Sequence, residues 1–227
     1  SALAVLFGVL VHQTIEDIHK AILRGEERGV TDDTIRTWFN INYRNLSKIL
    51  NFDLNPPQRD NALKQVLNYK RRNQNNWLQI REAEFDVSLV KPDYILKGTI
   101  DLIQSGGDSV DIIDFKAGPP KPDVNNPLDR PELDRYRRQL ETYAHIVENR
   151  TGLRVNRMYL YYTREEDGNP MIPFDNDPRR VSDTMRTFAD TVEDIEHKRF
   201  GISYKEIDTR LCQECDMRFY CKFITFA

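Results

Sequence analysis

Two apolar segments flank a glycine turn, and each carries one aspartate. They read Gly98-Thr99-Ile100-Asp101-Leu102-Ile103 and Asp111-Ile112-Ile113-Asp114-Phe115-Lys116, with Ser105-Gly106-Gly107-Asp108-Ser109 between them. Runs rich in β-branched residues, bounded by Gly, Ser and Asp, predict two antiparallel strands joined by a turn. Side chains alternate along a strand, so Asp114 and Lys116 share one face while Ile113 and Phe115 point into the opposite layer. Pairing Gln104 with Asp111 leaves 105–110 as the loop and sets Asp101 beside Asp114. A lone charge inside an apolar strand is costly, so these two acids need a reason to be there.

Around this hairpin the apolar period changes. Ala2 to Val11 opens a buried helix, and Val11, Ile15, Ile18 and Ile22 continue a helical stripe toward Gly25. Thr31-Asp32-Asp33 predicts the N-cap of a second helix carrying Ile35, Trp38 and Leu46. Pro56-Pro57 breaks the chain before a third helix with Leu63, Val66 and Leu67. From Glu84 to Val90 the pattern alternates, with Phe85, Val87 and Leu89 on one face. Beyond the hairpin, a helix over 132–148 shows Leu133, Tyr136, Leu140, Tyr143 and Val147 on one stripe. A fourth strand follows over 155–163, then a helix marked by Val181, Met185 and Phe188. This order predicts an α/β fold, a mixed central sheet with flanking helices. The 227 residues suit one domain, with 201–227 as a cysteine-containing tail. The start at Ser1 reads as a cut from something larger.

Composition narrows the function classes. Charged residues are 30%, and 11 Phe and 10 Tyr supply a bulky core, which excludes a disordered tail or a collagen-like fibre. No apolar run is long enough to span a bilayer, so no membrane partner is expected. Lys+Arg of 33 against Asp+Glu of 36 gives a charge of −3. Nucleic acid, if bound, must be met by a local patch, by metal ions or by a neighbouring domain. The 3 cysteines cluster near the end, an odd number that does not make a disulfide framework. They favour a metal site in a reducing, cytoplasmic setting.

Two close carboxylates repel unless a cation sits between them. Magnesium or manganese takes such oxygen ligands, and a lysine beside the metal can orient water or neutralise charge developing on phosphorus. Asp101, Asp114 and Lys116 thus suit phosphodiester hydrolysis. The plainer reading of an Asp-x-Lys strand is an edge whose charges are only solvated.

Gly98-x-Ile100-Asp101, then Asp114-x-Lys116, then Gln139-x-x-x-Tyr143, resembles the PD-(D/E)XK nuclease superfamily, which has a restriction-endonuclease-like core. More closely it resembles RecB-like nucleases of the iron–sulfur, AddB-like type, including those fused to helicases. The resemblance implies that His12 joins Asp101 and Asp114 as a metal ligand, with the Phe115 carbonyl as a further ligand. It places Gln139 and Tyr143 beside the catalytic residues. It implies a metal-dependent DNA nuclease, an exonuclease of repair or recombination acting on single strands or duplex ends. Arg135, Arg137 and Arg138 could meet phosphates or form a solvated face. Glu84 could add an acid at the edge of the site.

Cys212-x-x-Cys215-x5-Cys221 has the spacing of thiolates that hold zinc or an iron–sulfur cluster, and both need a fourth ligand. The resemblance implies a 4Fe-4S cluster whose remaining cysteine lies upstream of Ser1. The alternative is zinc completed by His19, His145 or His197. A rival function is a catalytically inactive DNA-binding or protein-docking module with such a metal clip.

Overall fold

A computed structural model describes residues 2–105 and 108–199, together with Cys212 and Cys215. The chain forms two compact units, residues 1–185 and 186–227. The elements are α1 (Ala2–Leu23), α2 (Asp32–Leu50), α3 (Pro56–Asn73), β1 (Ile80–Val90), β2 (Ile95–Ser105), β3 (Ser109–Lys116), α4 (Arg130–Thr151), β4 (Arg154–Tyr162), β5 (Met171–Asp175) and α5 (Pro178–Glu196).

Helix starts follow local chemistry. The Thr31 hydroxyl accepts from the Thr34 N–H at 3.2 Å and caps α2, as expected. At α3, Asn55 and Gln58 make a reciprocal capping box at 2.9 and 3.0 Å. Pro56 then takes the first helical position, where no N–H is needed. The proline pair therefore begins a helix as well as ending the preceding loop. Helix α1 begins at Ala2, as the apolar run predicts, so His12 lies in mid-helix.

The sheet runs β1-β2-β3-β4-β5 and is antiparallel except between β3 and β4. Parallel neighbours need a crossover, and α4 provides it. The expected register holds: Gln104 pairs with Asp111. The ladder extends one rung further than expected, to Ser105 with Val110. Strand β5 was not foreseen. It is a five-residue edge strand containing Pro173, and an edge tolerates proline because one row of N–H groups faces outward.

Each sheet face has its own core. Helices α1–α3 pack Leu6, Leu10, Ile15, Ile18, Phe39 and Val66 against Leu102, Ile113, Phe115 and Tyr161. Helix α4 packs Leu140, Ala144 and Val147 against Ile100, Ile103, Ile112, Leu160 and Tyr162 on the other face. The α/β architecture with helices on both sides of a mixed sheet is as expected from the sequence.

Candidate active site

The site forms where the β2–β3 ladder opens. Its last paired residues toward the site are Leu102 and Ile113, and the next residue on each strand is Asp101 or Asp114. In place of a further ladder bond, the Phe115 N–H donates to Asp101 Oδ2 at 2.6 Å. That bond ties one acidic strand to the backbone between Asp114 and Lys116. Lys116 Nζ lies 2.6 Å from Asp114 Oδ2, and both side chains are largely withdrawn from solvent. From α1, His12 Nδ1 comes within 3.7 Å of Asp101 Oδ2.

Glu84 completes the cluster. It stands opposite Asp101, between the pairs Ala83–Leu102 and Phe85–Ile100. Its φ of 47° is left-handed, a conformation a non-glycine residue rarely adopts within a strand. Ala83 packs on the α1–α3 core, yet Phe85 packs on the α4 core. Leu102 and Ile100 divide between the same two cores. Residues two apart on a strand normally share a face, so both strands exchange faces at this rung.

The electrostatics favour a cation. Burial, and then the Asp114 charge, push the Asp101 carboxyl up to about 7. Burial, and then the Asp101 charge, push Glu84 up to about 7. Burial lowers the His12 imidazole despite the nearby acids, so it is neutral and able to ligate. Donor atoms of His12, Glu84 and Asp101 all lie within 4.8 Å of one another. Two half-buried carboxylates that repel one another when both are ionised, beside a neutral imidazole, fit a divalent ion. Asp114 lies on the adjacent strand in the same cleft, turned toward Lys116. The Phe115 backbone lies beside the His12 imidazole, and its influence, opposite to that of burial, is the smaller of the two.

Helix α4 closes the other wall of this cleft, which has a volume of about 330 Å³. Gln139 Nε2 donates to the Tyr143 hydroxyl at 3.0 Å, one turn away. The Tyr143 ring lies on β2 at Gly98, where an added Cβ would meet its Cε1 at 2.5 Å. Glycine at 98 thus permits the helix to approach the strand. Tyr136, read from the sequence only as core, also lines the cleft. Its ring centroid lies 3.9 Å from Lys116 Nζ, and its hydroxyl donates to Glu132 at 2.9 Å. Tyr136, Gln139 and Tyr143 fall on one helical face, a spacing that could have revealed the tyrosine.

The three arginines before Gln139 diverge. Arg135 reaches Glu132 at 3.8 Å and flanks the Tyr136 ring. Arg137 turns inward to Asp134 and to buried Glu141. Arg138 is exposed. Among the zinc-ligand candidates, His19 is sealed in the core with its Nε2 2.7 Å from the Tyr69 hydroxyl. His145 Nε2 lies 3.0 Å from Lys91 Nζ, and His197 Nδ1 lies 2.9 Å from the Glu193 carbonyl. Cys212 and Cys215 are not in disulfides, and Cys221 lies outside the described residues.

The PD-(D/E)XK nuclease superfamily profile matches residues 1–222. The chain belongs to that superfamily. This nuclease also shares its fold with a protein from Eubacterium rectale provisionally described as an exonuclease, at a TM-score of 0.53 and 12% identity, covering 88% of this chain and 75% of that one. A weaker likeness, to the structure of SSO0001, has a TM-score of 0.39 and 15% identity over 84% of this chain and 81% of the other. No curated protein matches the sequence. Members of the superfamily are metal-dependent hydrolases, in keeping with the donor cluster of this nuclease. Among its described residues no helix is long and apolar enough to cross a membrane.

Proposed function

We propose that this nuclease hydrolyses DNA phosphodiesters at single strands or duplex ends, with Asp101, Asp114 and Lys116 as its catalytic set. The observation that carries this reading is the Phe115 N–H bond to Asp101, which locks the acid of β2 to the Asp114–Lys116 pair of β3. His12, Glu84, Asp101, Asp114 and the Phe115 carbonyl would hold magnesium or manganese. When bound, such an ion polarises a phosphoryl oxygen and lowers the pKa of the attacking water. Lys116, fixed between Asp114 and the Tyr136 ring, orients that water and offsets charge developing on phosphorus. The linked Gln139 amide and Tyr143 hydroxyl position the strand or the catalytic carboxylates from the α4 wall. Water adds to phosphorus in line as the opposite P–O bond breaks.

The finer reading is a module of a DNA repair or recombination enzyme in the cytoplasm, fed strand by a linked or associated helicase. A net charge of −3 suits delivery by a motor better than unaided capture. Cys212, Cys215 and Cys221 would bind a 4Fe-4S cluster with a cysteine upstream of Ser1, or zinc. The test is digestion, in magnesium, of single-stranded DNA, linear duplex, covalently closed duplex and RNA in parallel. The proposal expects cleavage of the first two and sparing of the closed circle and RNA. Binding without cleavage of any of them would instead favour the inactive-module reading.

A further inference from the structure

A second cleft, of about 570 Å³, lies against the β1–β2 hairpin. It meets the active-site cleft at Thr99, which lines both. Two cations border it from different elements. Lys97 is exposed on β2, directly across the ladder from Ser88. Arg150, in the last turn of α4, donates from Nη1 to the Ser88 carbonyl at 3.4 Å and to its hydroxyl at 3.2 Å. Both bonds use one nitrogen of a guanidinium that has five N–H donors, so its plane is anchored while further donors remain for an anion. The one acid in the wall, Asp86, accepts from the Thr99 hydroxyl at 2.7 Å. The cleft therefore holds two cations against one engaged carboxylate, in a chain whose net charge is −3.

We propose that this cleft is a phosphate-binding track, holding the stretch of nucleic acid strand next to the scissile bond through Lys97 and Arg150. The proposal rests on the nuclease reading above and adds to it where the substrate runs: from Lys116, past Thr99, along the hairpin toward the end of α4. Phosphate contacts position a strand without reading its sequence. Binding energy from parts of a substrate remote from the reacting bond is available only to substrates long enough to reach them. The cleft would therefore set a length preference and no sequence preference.

The experiment compares wild type with Lys97→Ala/Arg150→Ala on a long single strand and on an oligonucleotide of a few nucleotides. On the long strand the variant should show KM raised about tenfold with kcat unchanged. The slope of log KM against log salt should fall by about 1.4, roughly 0.7 for each lost contact to a single strand. The short substrate should not distinguish the two proteins. Lys97→Arg/Arg150→Lys should restore KM, which separates charge from any disturbance at Ser88. Equal KM and equal salt slope in an active enzyme would overturn the track and leave the nuclease reading standing. Strand affinity is also measured by fluorescence anisotropy in calcium. If wild type cleaves nothing yet the double alanine variant binds more weakly with a smaller salt slope, the track stands and the catalytic reading falls.

Discussion

Glu84 faces Asp101 across the rung at which both β1 and β2 exchange faces, and Glu84 holds a left-handed φ of 47° there. A regular ladder would set acids on one face and continue. The exchange instead brings Glu84, Asp101 and the helix-borne His12 to one point. Residues held in sparsely populated backbone regions cost on the order of 1–3 kcal/mol each and persist where the surrounding structure over-determines them. Here that cost is combined with two half-buried carboxylates, and a divalent ion would offset the second.

Glu84→Gln removes one of these charges without changing shape. In chelator at pH 8 it should raise Tm by about 2–4 °C, corresponding to about 1 kcal/mol once solvent screening at this half-exposed group is allowed for. In magnesium or manganese the order should reverse, because the metal gains a ligand only in wild type. Differential scanning fluorimetry with and without metal checks both halves.

The same groups set the pH response. Glu84 and Asp101 hold protons in the fold up to about 7, against ordinary values of 4.5 and 3.8. Their contribution to stability is full at low pH and is lost as pH rises toward 7. Protons therefore compete with metal, and the thermal shift produced by magnesium should be larger at pH 8 than at pH 6. A shift independent of pH would count against these carboxylates as ligands.

His19 has the opposite sign. Burial pushes its imidazole down to about 3 from an ordinary 6.5, so the unfolded chain takes a proton that the fold refuses. Its contribution is present above 6.5 and is lost as pH falls below that value. His19→Gln should be less stable than wild type at pH 7.5. By pH 5 the gap should narrow by about 2 kcal/mol, from a limiting slope of about 1.4 kcal/mol per pH unit. Urea unfolding of the two proteins at both pH values measures it.

Gly98 is required by closeness and not by its φ. Gly98→Ala should cost about 2 kcal/mol through the clash of its Cβ with the Tyr143 ring. In a Tyr143→Ala background the same substitution should cost almost nothing, because neighbours that share a contact are not additive. A full double-mutant cycle reads this coupling directly.

Much of this architecture is legible in the sequence because its signals are local. Two apolar runs separated by a short polar, glycine-containing stretch of sequence predict the β2–β3 register, so Asp101, Asp114 and Lys116 can be placed together without a structure. The Thr31 cap and the period of α4 are likewise local. Tyr136 was hidden because an aromatic on an apolar helical stripe reads as core, although its face also meets Lys116. Glu84 gained its importance from a left-handed residue that no β-propensity announces. Strand β5 is short and contains proline, so nothing in its period marks it. The cleft at Arg150 depends on the end of α4 reaching the β1–β2 hairpin, a contact between segments far apart in the chain.

Cleavage of end-labelled single-stranded DNA by wild type and by Asp114→Asn, purified in parallel and matched by circular dichroism, tests the central claim most directly. With magnesium, wild type should cleave, while Asp114→Asn at unchanged fold, and wild type in chelator, should show only background. Undiminished cleavage by Asp114→Asn, or full wild-type cleavage in chelator, would contradict a metal-dependent nuclease centred on Asp101, Asp114 and Lys116.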